Sequence, residues 1–466
     1  MLNNAKKMVG LEEFDNQKKY KCLDFCKKDK CEDTEDAIKK GHVECLKYFH
    51  QNIHQNENWW TKYMCETAAK YGNLECLKYG HKNGFFWDSQ TCKSAAQNGH
   101  LECLKYALEN GCPYSADLCC YAAENGHLEC LKYLHKMSCL WNERTYSYAI
   151  CNGNIDCVKY LHENGCHWNK NACMAAANYG QLECLKYLHE NGCPWDGDTC
   201  TGAARNGYLE CLKYACENGC PQNSDICTSA ASSGNLDCLQ YAHEKYYHWD
   251  ENTCAKAALY GHLECLQYAH ENGCPWDKET CSNAAENGHL ACLQYAHEND
   301  CHWNEETCSY AVLKGHLECL KYAHENGCPW NKYACINAAC YGHIECLKYV
   351  HENGCHWDEN ICTLAAQNGH LECLKYANEN GCPWNSNTCT HAAENGHLEC
   401  LKYAHENNCP WDEITCAYAA TRCGKLKCLQ YAHENGCPWN SKTCQYAVRD
   451  KQLECLQYAR ANGCPE

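Results

Sequence analysis

The stretch Gly315-His316-Leu317-Glu318-Cys319-Leu320-Lys321-Tyr322-Ala323-His324-Glu325-Asn326-Gly327-Cys328-Pro329-Trp330 decides the reading of this chain. Leu317, Leu320 and Ala323 fall three apart with Cys319 on the same side, the stripe of a helix that turns one face to a core. Glu318 near its start and His324 near its end suit the helix dipole. Asn326-Gly327 ends the helix, because glycine takes the left-handed conformation at little cost. Cys328-Pro329-Trp330 leaves room only for a tight connection. A second helix is predicted from Asn331, an N-cap residue, through Cys335, Ala338 and Ala339, before Tyr341-Gly342 turns the chain again.

Outward from this stretch the same block recurs. Its leading residues are Gly72, Gly99, Gly126, Gly153, Gly180, Gly207, Gly234, Gly261, Gly288, Gly315, Gly342, Gly369 and Gly396, each 27 residues after the last. Earlier copies start near Lys18 and at Gly41, later ones at Gly424 and near Lys451, 17 in all. A fixed period of this size marks a solenoid. Neither helix of a unit can bury its apolar face alone, so neighbouring units must stack, and no single central core is needed. The predicted organisation is an N-terminal segment at 1–17, irregular cap repeats at 18–71, regular repeats at 72–423 and C-terminal cap repeats at 424–466. Irregularity is confined to a shortened first unit, a four-residue insertion around His54 and one extra residue near Cys423. The fold class is all-α, a helical-hairpin repeat solenoid.

Composition bounds the function. The 466 residues include 51 Cys, 33 Tyr and 14 Trp against 5 Phe and 5 Met, a skew that repetition explains. The formal net charge of -18 repels phosphate backbones, which argues against a nucleic-acid partner. No run of 18 apolar residues offers a membrane span, and residues 1–17 lack the apolar stretch of a signal peptide. A cytoplasmic protein is expected, its cysteines held as thiols rather than disulfides.

The run Thr280-Cys281-Ser282-Asn283-Ala284-Ala285-Glu286-Asn287-Gly288-His289-Leu290 resembles the ankyrin repeat, in which a Thr-Pro-Leu-His turn leads to two alanines and then Asn-Gly-His-Leu. The resemblance covers residues 18–466. The Cys-rich unit with Cys-Pro-Trp-Asp resembles the ankyrin-repeat families of giant DNA viruses of amoebae, with similar versions in some protists. Two features depart from the family pattern. The turn proline is missing, and the unit is six residues shorter than the ankyrin period of about 33. The loss falls between Gly327 and Asn331, where ankyrins carry a β-hairpin finger, so blunt loops and a surface made chiefly by helices are expected.

Three positions, at Cys319, Cys328 and Cys335 and their equivalents, hold 45 of the 51 cysteines. One reading is a metal or redox array helped by His316 and His324, since His324 and Cys328 are four apart. Against it, no Cys-x-x-Cys pair occurs anywhere in the chain. The three positions also match ankyrin core positions held by Val, Ala and Leu, and Phe85, Tyr146 and Tyr247 replace the cysteine in some copies. A small buried thiol fills such a place well, so these residues read as core and no metal ligand is assigned. His162-Glu163 with His167, and His351-Glu352 with His356, are spaced five apart and straddle a helix end, so they are not a zinc-protease motif. Tyrosine stands seven residues after the leading position in 16 of the 17 copies, with Phe25 in the other, and Trp276, Trp303, Trp330 and Trp357 follow the Cys-Pro turn. Aromatics at a fixed place in every unit, without a basic groove, read as packing between units. No phosphate loop or nucleophile elbow is present, so no catalytic residue and no cofactor is assigned.

Positions that vary between copies are free of the architecture. They lie 17, 18, 21, 22 and 25 residues after each leading glycine and gather on one helix face. The resemblance implies that this helix lines the concave face, the usual binding surface of solenoids. Tyr121, Tyr148, Lys256, Tyr310, Tyr333, His391, Tyr418 and Tyr446 are the candidate contact residues, exposed tyrosine being a frequent interface anchor. The expected function is a non-catalytic, monomeric scaffold that binds protein partners and neither nucleic acid nor membrane. The alternative is a metal-buffering or redox protein using the repeated Cys and His positions. A purely structural or virion component is a third reading.

Overall fold

The structure, a computed structural model, describes residues 31, 33–52, 62–141, 143–169, 171–331, 333–421 and 425–466. The expected features near Lys18, His54, Cys423 and Gly424, and the segment 1–17, lie outside these residues. With the leading glycine as position 0, most described copies have a Leu-Glu-Cys helix at positions 2–10 and a Thr-Cys helix from about position 17 to 25. Leu263–Glu271, Lys278–Glu286, Leu290–Glu298 and Glu305–Lys314 are successive examples. Among the described residues there is no strand, and the β-hairpin finger of the usual ankyrin unit is absent. Cys274-Pro275-Trp276-Asp277 alone carries the chain from Gly273 to the next helix. The fold is an all-α stack of helical hairpins.

Local chemistry sets the boundaries. Most Thr-Cys helices start on an Asp or Asn whose side chain accepts from the backbone two residues on, as Glu279 N–H to Asp277 at 2.9 Å and Tyr333 N–H to Asn331 at 2.9 Å. Such a cap contributes about 1 kcal/mol. Both helices of a unit stop in the same way. Asn287 Nδ2 donates to the Asn283 carbonyl at 3.1 Å, while Gly288 and His289 donate their N–H groups to Ala285 and Ala284. At the other end Asn272 Nδ2 donates to Tyr268, and Gly273 and Cys274 donate to His270 and Ala269. These are paired Schellman closures, in which a left-handed residue lets the last carbonyls find partners.

The core is small-chained. Cys292, Leu293, Ala296, Cys281, Ala284 and Ala285 are buried, as are their counterparts in nearly every described copy. Alanine and cysteine let neighbouring backbones approach, and the Thr-Cys helices of successive copies lie in close contact while the Leu-Glu-Cys helices meet sparsely. Leu317, expected on the core stripe, sits half-buried in the first turn of its helix. The copies form two compact bodies, one ending at Asn223 and one beginning at Ser224, each built from this same stack.

Candidate functional site

Successive copies are joined by three aromatic side chains. The His270 ring stacks on Trp276 of its own copy at 3.8 Å between centroids and 9° between planes. Its Nδ1 meets the hydroxyl of Tyr295, from the following copy, at 2.9 Å, and Trp276 packs edge-on against the same tyrosine. The joint recurs at His81–Tyr106, His135–Tyr160, His189–Tyr214, His297–Tyr322, His324–Tyr349 and His433–Tyr458. Leu108 and Cys216 stand at the histidine position in two copies, and in another Asn378 replaces it and donates to the Tyr403 hydroxyl at 3.2 Å. The sequence reading of tyrosine and tryptophan as packing between units is what the geometry shows. His324 is part of this joint and is not paired with Cys328, whose thiol instead donates to the Asn304 carbonyl at 3.2 Å.

A second histidine, at position 1, lies over the leading glycine of the copy before. His343 Nε2 meets the Leu313 carbonyl at 3.0 Å, and a Cβ on Gly315 would stand 2.4 Å from His343 Nδ1. Where histidine is missing, Asn73, Asn154 and Gln181 donate to the equivalent carbonyls, those of Lys39, Glu124 and Cys151. Burial holds His127, His289 and His370 below the usual imidazole range.

The thiols lie in the core, where the sequence placed them, and they also donate. Cys301 Sγ donates to the Asp277 carbonyl at 3.1 Å, and Cys281 Sγ approaches the Cys301 carbonyl at 3.8 Å. Each thiol thus helps satisfy a carbonyl in the tight connection, which Val or Leu could not do. Burial pushes the position-4 thiols up, to about 12 at Cys265 and about 11 at Cys319, so they stay protonated at neutral pH. Among the described residues one group of three soft ligands gathers, Cys31, His42 and Cys45, where the sequence reading assigned no metal.

The candidate contact residues lie along the Thr-Cys helices. Tyr310 and Tyr333 are 36% and 51% exposed, and Lys256 is exposed. Tyr121, Tyr148, His391, Tyr418 and Tyr446 are half-buried. Their neighbours are other surface side chains. The Lys93 ammonium lies over the Tyr121 ring, the Arg449 guanidinium over Tyr446, Tyr418 packs edge-on to Tyr446, and His391 Nδ1 meets Glu394 at 2.9 Å. Position 21, grouped with these by its variability, departs from the expectation. Ser282, Thr228 and Thr390 turn toward Thr307, Thr253 and Thr415 of the following copy, at 3.5, 3.0 and 3.0 Å, and Ser282 and Thr390 are buried. Copies with larger side chains there, Lys93, Met174, Ile336 and Gln445, leave them half-buried or exposed, so position 21 withdraws from the surface only where a small residue stands.

Fold and repeated joint together define a stacked helical-hairpin repeat protein. The family description "Ankyrin repeats (3 copies)" matches residues 94–172, 146–226, 173–251, 308–388 and 335–409, and "Ankyrin repeats (many copies)" matches 65–108. The chain belongs to the ankyrin-repeat family. It is similar to a solved structure of the human ASB11 ankyrin repeat domain, at 21% identity and a TM-score of 0.30, over 34% of this chain and 84% of that one. No curated protein matches. Ankyrin-repeat domains are typically non-catalytic and serve protein–protein interaction. No helix among the described residues is long and apolar enough to cross a membrane.

Proposed function

We propose that this chain is a monomeric, non-catalytic scaffold that holds partner proteins on the row of Thr-Cys helices. One observation carries the reading. The repeated residues are consumed by core, caps and joints, whereas positions 18 and 22 change from copy to copy and include the exposed Tyr310 and Tyr333. Tyrosine and tryptophan supply large contact area at low entropic cost, and the tryptophans that follow the tight connection, such as Trp276, Trp303 and Trp330, are already packed in joints, which leaves tyrosine as the anchor. Tyr121, Tyr148, Lys256, His391, Tyr418 and Tyr446 complete the surface. The net charge of -18 favours a protein partner with basic or apolar contacts over nucleic acid. The short Cys-rich unit is the ground for placing the chain with giant-virus ankyrin proteins, acting in the host cytoplasm.

The metal-buffering or redox alternative finds less support, because the repeated thiols are buried and those of the tight connections donate to backbone carbonyls. The scaffold reading is tested by quantitative cross-linking of partners to the whole chain, with Tyr310→Ala and Tyr333→Ala. Loss of a partner with an unchanged melting profile supports it. Partners that persist in both variants, yet are lost when Glu318 and Lys321 on the opposite helix row are changed, would place recognition on the wrong face for this proposal.

A further inference from the structure

At the N-terminal end of the described stack, Cys31, His42 and Cys45 bring two thiols and an imidazole together, all ligand atoms within 4.8 Å of one another. The His42 Nδ1 to Cys31 Sγ distance is 3.1 Å. Cys31 and Cys45 are buried and His42 is half-buried. A tetrahedral zinc ion with Zn–S bonds of about 2.3 Å sets its donor atoms roughly 3.5–3.8 Å apart, so closure onto an ion needs only a small inward shift.

The cluster is a product of the shortened first unit. In regular copies fifteen residues separate the position-13 cysteine from the next position-1 histidine, as from Cys274 to His289 or from Cys301 to His316. Here the interval from Cys31 to His42 is eleven. The N-cap Asp33 follows its cysteine by two residues instead of three, and the helix Thr34–Lys39 has 6 residues where Lys278–Glu286 has 9. In the regular copies the corresponding histidine reaches a carbonyl of the preceding copy, as His343 does to Leu313. In the shortened unit Cys31 lies against the imidazole, beside Cys45, the position-4 cysteine that every copy supplies.

We propose that Cys31, His42 and Cys45 form a structural zinc site that clamps the first two described copies together. Two soft thiolates and an imidazole are the donors Zn²⁺ selects over Mg²⁺ or Ca²⁺. Binding displaces both thiol protons, and the doubly charged ion with two thiolates and a neutral imidazole carries no net charge, which suits the buried position. The site calls for one ion per chain, in contrast to the many equivalents that a thiol-ladder metal store would hold.

The test uses the full chain, stripped with chelator under reducing conditions and re-equilibrated with Zn²⁺ alone. Metal content is read by elemental analysis, Co²⁺ substitution by thiolate charge-transfer absorption, and clamping by amide exchange over residues 33–52. The variants are Cys31→Ser and His42→Asn, with Cys328→Ser as the control at a regular position 13. His42→Asn keeps the fold testable, because Asn73 and Asn154 already stand at that position. The expected result is one zinc in the native chain and in Cys328→Ser, none in the other two variants, and faster exchange in 33–52 without metal. An absent ion in the native chain, one ion retained in both cluster variants, or zinc lost equally from the control overturns the proposal.

Discussion

Gly288 and His316, 28 residues apart, fit as a pair: a Cβ on the glycine would stand 2.5 Å from the imidazole Nδ1. The glycine also adopts φ +76, so it is constrained twice, by its own backbone and by the next copy. Gly273 has φ +83 but open space where its Cβ would go. Gly273→Ala should therefore cost about 1–2 kcal/mol, the left-handed penalty alone. Gly288→Ala should cost clearly more and loosen the joint to the following copy. Asp300 and Asn408 already stand at positions equivalent to Gly273, at φ +66. Local stability by hydrogen exchange decides the matter, and equal costs for the two alanines would discount the histidine contact.

The tyrosine hydroxyl in each joint should be measurable by itself. Tyr349→Phe removes the contact to His324 Nδ1 at 3.1 Å and keeps the ring, for an expected loss of about 1 kcal/mol. His324→Ala should cost more, since it also uncovers Trp330, stacked at 3.9 Å. His324→Asn should fall between, as Asn378 serves in a natural copy. Long repeat arrays do not unfold in one step, so the readout is amide exchange in the copies beginning at Gly315 and Gly342. Protection lost uniformly along the chain, instead of beside the joint, would contradict the nearest-neighbour picture.

Mild acid should weaken the stack. His127, His289, His351 and His370 are held below the ordinary imidazole value of 6.5 because burial disfavours the imidazolium. The unfolded chain takes up those protons first, so stability present above 6.5 is lost as pH falls toward the depressed folded values. Melting temperatures from about pH 8 to about pH 5 should drop chiefly in the lower half of that range. His289→Asn and His370→Asn should flatten the drop. A melting temperature flat across the range would mean the imidazoles accept their proton in place.

Alkali should act through the thiols with the opposite sign. Cys265 and Cys76 are pushed from 9.0 to about 12 by burial, and Cys319 and Cys292 to about 11. Thiols of the unfolded chain ionise first, so stability held below 9 falls as pH rises toward the folded values. Because the position-4 contribution recurs in most described copies, unfolding above pH 9 should be steep. Thiolate absorbance and far-ultraviolet circular dichroism should change together. Absorbance rising well before the helix signal is lost would show thiols ionising inside a folded stack.

Much of the fold is legible in one unit. The stripe Cys319, Leu320 and Ala323, the N-cap Asn331 and the closing Asn326-Gly327 are local signals, and each acts within four or five residues. The relations between copies are less accessible. That His316 shields Gly288, or that Ser282 turns to Thr307 and so leaves the variable surface, depends on how far one hairpin is offset from the next. Sequence period gives the number of copies without giving that offset. His324 could be read as favouring a helix end or as a candidate partner of Cys328, but not as part of the joint, because its tryptophan lies six residues on and its tyrosine twenty-five. The Cys31, His42 and Cys45 group was hidden for a related reason: eleven- and three-residue spacings match no familiar ligand motif, and only loss of a helical turn brings the three together.

The joint made by His297, Trp303 and Tyr322 uses the same residues as the one made by His324, Trp330 and Tyr349. The copies are therefore interchangeable parts. Excision of residues 288–314 would set the copy beginning at Gly315 directly after that beginning at Gly261, with a histidine, a tryptophan and a tyrosine already in place to meet. Duplication of the same segment would work equally well. Descent can thus lengthen or shorten such a chain by whole units without inventing an interface, while the side chains at position 22 are reshuffled at each exchange.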